Sequence, residues 1–179
     1  SSCVTVPDHP PPGANGWERW PMADTVVTQE WAETGPAVPS SLPYSDTMRV
    51  RFSDTDAQGH LYFANYMVYA DEVAGFYMEE LGYSAMNPRQ APCYIFTVNI
   101  NCDFLEECKA FDTVRVCVGY SRLGRSSADL AFELYNDATG AALARGSITQ
   151  VFTDKETRRS SAIPPAFRDA IVARQPELA

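Results

Sequence analysis

Positive charge and histidine are scarce in this chain. Fourteen Lys and Arg stand against twenty-three Asp and Glu in 179 residues, a formal net charge of −9. That argues against a nucleic-acid surface, which needs cations in excess to neutralise phosphates, though it says little about a local anion pocket. No apolar run approaches the roughly 18 residues of a membrane span. The five cysteines (Cys3, Cys93, Cys102, Cys108 and Cys117) are odd in number and include no C-x-x-C pair. They read as reduced thiols of a cytoplasmic protein, with a disulfide framework or zinc site disfavoured. There is no G-x-S-x-G elbow, and His9, one of only two histidines, lies in a proline-rich stretch. A Ser-His-Asp apparatus is therefore absent from the pattern.

What is present is a chain of ordinary globular composition, 45% hydrophobic and 21% charged, of a length that suits one domain. Residues 1–43 differ from the rest. They hold eight of the thirteen prolines and one Arg against five acidic residues. Proline at that density forbids long helices and central strands, and the acidity argues against a transit peptide. Yet Trp17, Trp20 and Trp31 all lie here, more aromatic surface than solvated linkers carry. The expectation is an extended arm packed on the domain or a partner subunit, with a short helix near 23–33; the alternative is a disordered extension.

From Tyr44 the texture changes. Thr47 to Phe52 alternates apolar and polar residues, as a half-buried strand does. Between Phe63 and Leu81, apolar residues recur at helical spacing along one wide stripe that includes Tyr66, Ala70, Val73, Ala74, Tyr77 and Met78. Gly82 then ends the helix. Four strand-like runs follow, Tyr94–Phe104, Thr113–Arg122, Ser127–Tyr135 and Ala142–Thr153. Turn chemistry at 109–112, 123–125 and 136–140 separates them and suggests a meander. Pro164-Pro165 opens a last short helix, through Ala173, in a tail over 156–179. With one long helix available for crossovers, the strands must be antiparallel and must bury their apolar face on that helix. The fold class is α+β.

The chemistry concentrates in Phe52-Ser-Asp54-Thr-Asp56-Ala-Gln-Gly59-His60-Leu-Tyr62-Phe63-Ala-Asn65-Tyr66. Two acids leave a strand end, Gly59 lets the loop turn sharply, and a helix opens within a few residues. A helix N-terminus offers unpaired N–H groups and partial positive charge. A carboxylate on that lip faces a ready oxyanion site, which suits acyl transfer at a carbonyl. A thiolate of pKa about 8.5 leaves with little proton donation, so a thioester hydrolase can dispense with a triad. On residue types alone, a metal loop or a solvated turn fits this D-x-D pattern equally.

The run from Phe52 through Asp54, Asp56, Gly59, Tyr62, Phe63, Asn65, Tyr66 and Tyr69 to Asp71 resembles the signature of the 4-hydroxybenzoyl-CoA thioesterase family. The resemblance extends over 44–155. It implies a hotdog fold, in which an antiparallel sheet wraps one long central helix, two protomers form a continuous sheet and the sites lie at the dimer interface. It implies that Asp56 is the catalytic carboxylate and that the backbone N–H of Phe63 polarises the thioester carbonyl. Asn65 and Tyr66 would shape the pocket, with Asp71 in a supporting role. It also implies that a basic, Ser-containing turn binds the nucleotide, for which Arg122, Arg125, Ser126 and Ser127 are the candidates. Lys109, Arg158 and Arg159 are further cations to weigh.

His60 can be a second proton handler, a polar pocket wall or a structural residue. Tyr62, Tyr69 and Phe76 fall off the main stripe and can line an acyl site or fill a subunit interface. Asp54 is expected to hydrogen-bond the turn and orient Asp56. The expected activity is hydrolysis of an acyl-CoA or acyl carrier protein thioester. No metal or cofactor is expected, since coenzyme A belongs to the substrate, and the expected assembly is a homodimer or homotetramer. The rival expectations are a non-catalytic acyl-binding or assembly module and a hydroxyacyl thioester dehydratase relying on His60.

Overall fold

The computed structural model describes residues 37–84, 87 and 89–179. The expected helix near 23–33 and all three tryptophans lie outside these residues. Strands β1 (Tyr44–Arg49), β2 (Tyr94–Phe104), β3 (Thr113–Leu123), β4 (Ser127–Asn136) and β5 (Ala142–Thr153) form one sheet in the order β1-β3-β4-β5-β2. Every neighbouring pair is antiparallel. Helix α1 (Phe63–Glu80) packs on its concave face, as the alternation of apolar residues requires.

The four strands after α1 are not the expected meander. Only β3, β4 and β5 are, while β2 pairs with β5 at the far edge of the sheet. The link from Leu105 to Asp112 is therefore a crossover, not a tight turn. It runs past the start of α1, where the Leu61 N–H donates to the Cys108 carbonyl at 2.7 Å. The first strand also ends earlier than its alternation suggests. Val50 is buried, but Phe52–Asp54 form a 3-10 turn because the Asp54 carboxylate accepts the Arg51 N–H.

The buried side of α1 comprises Tyr66, Tyr69, Ala70, Val73, Ala74, Tyr77 and Met78, spaced three and four residues apart so that they share one face. Two assignments to that face need correction. Tyr69 is buried rather than off the stripe, because its hydroxyl has a buried partner. Phe63, counted in the stripe, is exposed, since it lines the hollow at the helix start rather than the core. Gly82 at φ +78 closes the helix. The N–H of Tyr83 returns to the Met78 carbonyl and that of Gly82 to Glu79, the paired bonds of a Schellman cap.

Helix α2 (Pro165–Arg174) folds back on the domain, burying Phe167 and Ile171. The Phe167 ring meets Tyr83, Tyr120 and Phe152 with centroids 4.8–6.1 Å apart. Just past α2, Gln175 acts as a one-residue strand. Its Nε2 donates to the Tyr120 carbonyl at 2.8 Å, and its Oε1 accepts the Tyr120 N–H at 2.9 Å. These are the backbone groups of β3 that β1, whose pairing ends at Val118, leaves open.

Candidate active site

Residues 55–61 form a miniature hairpin. Thr55 bridges Leu61, and the Asp56 N–H donates to the His60 carbonyl at 2.9 Å. Gly59 makes the reversal with φ +82, a region in which side chains are strained. Asp56 serves the turn with one oxygen only: Oδ1 accepts the N–H groups of Gln58 at 2.8 Å and His60 at 3.3 Å. Its Oδ2 has no hydrogen-bond partner among the described residues.

Asp54 is arranged for the opposite purpose. Its carboxylate is buried and takes the Arg51 guanidinium in a forked pair at 2.8–3.1 Å, the Arg51 N–H at 3.1 Å and the Tyr69 hydroxyl at 2.7 Å. Those bonds, the Arg51 side chain foremost, hold the Asp54 carboxyl down at about 2. The Asp54 carbonyl accepts from the Tyr62 N–H and from Asn65 Nδ2 at 2.9 and 2.8 Å, strapping the loop to the first turn of α1.

Asp56, His60, Phe63 and Tyr66 then line a single hollow of about 310 Å³, closed on the other side by Phe104 to Glu107. No side chain caps the start of α1. Its N–H groups at Phe63 and Ala64 have no hydrogen-bond partner among the described residues, so they point their partial positive charge outward. A carboxylate oxygen and an unpaired helix N–H thus share one solvent-open pocket. This arrangement can attack a carbonyl and hold the resulting oxyanion. Burial pushes the Tyr66 hydroxyl up to about 12, and it donates to the Glu106 carbonyl, so it acts as a neutral wall.

The other candidates are dispersed. Asn65 turns its amide to the Asp54 carbonyl and lies outside the hollow, because the loop needs that donor. Tyr62 is half-exposed and packs on the Phe63 ring at 4.5 Å. Asp71 lines a second, larger hollow of about 430 Å³ between α1 and β2, together with Met78, Tyr83, Tyr94 and Gln150. Eight residues separate it from Phe63, about 12 Å of helix rise. It is open to water, but the surrounding protein pushes its carboxyl up. Arg122, Arg125, Ser126 and Ser127 belong to the β3–β4 turn at the far end of the sheet, about 33 Å along β3 from the end that holds Asp56.

Arg122 is also engaged, with Nε and an Nη on the two oxygens of Asp129 at 2.6 and 3.1 Å. One chain therefore does not bring this turn to Asp56. Arg158 stacks on the Tyr94 ring at 4.5 Å, near the same far end. Sequence reasoning missed Glu106 and Glu107. The signal was an acidic pair directly after β2, but only the crossover of that link, legible in no local pattern, brings it to the motif loop.

The family model of the thioesterase-like superfamily matches residues 50–171. The uncharacterized protein YsmA of Bacillus subtilis is 26% identical over 132 residues, 74% of this chain and 82% of its own. Among solved structures, the 1,4-dihydroxy-2-naphthoyl-CoA thioesterase Slr0204 from Synechocystis superposes with a TM-score of 0.67 at 19% identity, covering 72% of this chain and 94% of that one. A thioesterase of Thermus thermophilus complexed with coenzyme A and Zn gives 0.63 at 25% identity over 75% and 96%. With its five-stranded antiparallel sheet wrapped on α1, this chain belongs to the thioesterase-like superfamily and has the hotdog fold.

Proposed function

We propose that this protein hydrolyses an acyl thioester of coenzyme A, or of an acyl carrier protein, to the free acid and thiol. Asp56 is the nucleophile or general base, the Phe63 N–H is the oxyanion donor, and His60 is a further group at the same carbonyl. The observation that carries this reading is the pairing of Asp56 with the uncapped start of α1 in one hollow. The superfamily membership supports the reaction class, and coenzyme A in the Thermus thermophilus structure supports the thiol carrier. The reading requires no metal or cofactor. It places the enzyme in the cytoplasm, a compartment in which the free thiols found among the described residues, Cys93, Cys102, Cys108 and Cys117, persist.

The working unit in this reading is a homodimer, alone or paired into a tetramer. β2 is an edge strand, and Phe96, Val98 and Phe104 on it are exposed. Such an edge favours a partner strand. Antiparallel pairing of two β2 strands about Asn99, their midpoint, sets the Phe104 end of one copy beside the Tyr94 end of the other. The Asp56 hollow of one copy would then adjoin the Asp71 hollow of the second, and the basic turn would reach the active site from across the interface.

The test is thiol release from short, long-chain and aromatic acyl-CoAs, with Asp56→Ala and Asp56→Asn proteins in parallel and circular dichroism to confirm folding. Turnover should fall about 10²–10⁴-fold in both variants. Wild-type-like hydrolysis by a folded Asp56→Ala protein would falsify the assignment.

A further inference from the structure

Beside Asp56, on the lip of the same hollow, runs a chain of three charged or titratable side chains. His60 Nε2 lies 3.2 Å from Glu107 Oε2, and Glu107 Oε1 lies 3.4 Å from Lys109 Nζ. Two segments far apart in sequence supply them, the motif loop and the β2–β3 crossover. Backbone bonds zip these segments together: His60 pairs with Lys109 in an isolated bridge, and the Leu61 N–H donates to Cys108. Main-chain pairing thus sets the two segments side by side, while the Glu107 and Lys109 side chains reach the contact from exposed positions.

Glu107 Oε2 thus faces the Nε2 side of the imidazole, and Nδ1, on the other side, has no hydrogen-bond partner among the described residues. The hollow that His60 lines also takes Asp56 from its own loop, Tyr66 from α1, and Glu106 and Glu107 from the crossover, with Lys109 beside Glu107. Asp56 has one oxygen held by two amides, His60's own among them. The nucleophile and the imidazole are thereby tied to the same turn.

We propose that Glu107 is a positioning residue that holds His60 with Nδ1 free, and that this nitrogen takes the proton of the water that completes hydrolysis. The proposal rests on the thioester reading above and chooses the nucleophilic role for Asp56 within it. Asp56 Oδ2 bonds the acyl carbon, and sulfur leaves with the electron pair of the C–S bond, giving a mixed anhydride and a thiolate. Water oxygen then bonds the acyl carbon while its proton passes to His60 Nδ1. The anhydride C–O bond to Asp56 breaks, its electron pair restoring the carboxylate. His60 returns the proton to the thiolate or to solvent, so thioester and water have become acid and thiol with the protein unchanged.

The experiment is rapid-mixing kinetics on the full chain with the best acyl-CoA of the panel, reading thiol by dye and acid by quenched samples, with intact-protein mass spectrometry at each time point. In His60→Asn, one equivalent of thiol per site should appear in a burst. Acid should lag, the acyl mass should accumulate on the protein, and steady turnover should fall about 10²-fold. Glu107→Ala should show the same signature with kcat down about tenfold and KM unchanged. Glu107→Gln, whose amide oxygen can accept a proton from Nε2 in the same place, should recover most of the rate.

Burst amplitude counts competent sites, so partial misfolding lowers the amplitude without imitating the lag. Thiol-releasing variants with no acyl-enzyme, or a Glu107→Gln protein as slow as Glu107→Ala, would overturn the relay and leave the thioesterase reading standing. A wild-type protein that releases no thiol would overturn both.

Discussion

The Tyr69 hydroxyl donates to Asp54 Oδ2 at 2.7 Å from inside the core face of α1. That contact separates the duties of two acids only two residues apart. Asp54 is saturated by Arg51, the Arg51 amide and Tyr69, and it sets where the loop meets the helix. Asp56 keeps one oxygen free at the mouth of a hollow. A D-x-D pair can thus hold one buried anchor and one carboxylate with an oxygen open to the hollow, and burial tells them apart.

The anchor predicts a defined acid sensitivity. The Asp54 carboxyl lies at about 2 in the folded protein against an ordinary value of 3.8. A depressed folded value means that its stabilisation is fully present above the ordinary value and is lost as pH falls from about 4 towards 2. Asp54 itself is covered, but Arg51 is largely in water, so screening reduces the linkage to about 1–2 kcal/mol. Urea unfolding at pH 6 and pH 3 should show this drop in the wild-type protein. Asp54→Asn should be less stable at pH 6 and should show a flatter profile. An unchanged slope in Asp54→Asn would remove Asp54 from the acid response.

Gln175 should be as important to stability as a core residue, though it lies in the last turn of the chain. Gln175→Leu leaves the Tyr120 N–H and carbonyl unpaired in a buried site, also taking an acceptor from the Tyr77 hydroxyl. The expected loss is about 2–4 kcal/mol by chemical denaturation. The kcat/KM of the folded fraction should be unchanged, because this end of β3 is remote from Asp56. A shift under about 0.5 kcal/mol would mean that water replaces the amide without cost.

The sequence displayed α1, its glycine stop and all five strands because each depends on local periodicity or turn chemistry. The loop and helix start that carry Asp56 and Phe63 were legible for the same reason, because a short loop brings them together, while picking out those two residues rested on the family resemblance. The placement of β2 at the far edge was not legible: whether an apolar run pairs with β3 or β5 depends on the crossover, not on its own alternation. The same crossover hid Glu106 and Glu107 from the site. Tyr69 was misplaced because tyrosine suits either face, and its partner Asp54 lies fifteen residues upstream. Arg122 looked available for phosphate because Asp129 sits across a turn that local composition does not resolve into an ion pair.

The edge of β2 offers a test of the assembly. Val98 sits at the register shift between Thr97 and Asn99 and is 59% exposed, in the middle of the strand proposed to meet its own copy. Val98→Lys would place two cations near the two-fold axis and should shift sedimentation from dimer to monomer. Turnover should fall with it and recover at high protein concentration, as expected of a site completed across an interface. A Val98→Lys dimer of full activity would place the interface elsewhere.

The proposed oxyanion donor, the Phe63 N–H, is a backbone group, and it can still be removed. Phe63 occupies the first position of α1, where proline is tolerated because its missing N–H would have no partner inside the helix. The preceding residue, Tyr62, has φ −58 and ψ 132, the extended conformation that a following proline prefers. Phe63→Pro should therefore fold with near-wild-type stability while deleting the one N–H assigned to the carbonyl oxygen. Phe63→Ala serves as the control for the lost ring, which is half-exposed and meets Phe104 edge-on. Relative to Phe63→Ala, the proline protein should lose about 10²–10³-fold in kcat with little change in KM, the size of one missing oxyanion donor. Equal kcat in the two proteins would move the oxyanion site to another donor, with the Ala64 N–H the next along the helix.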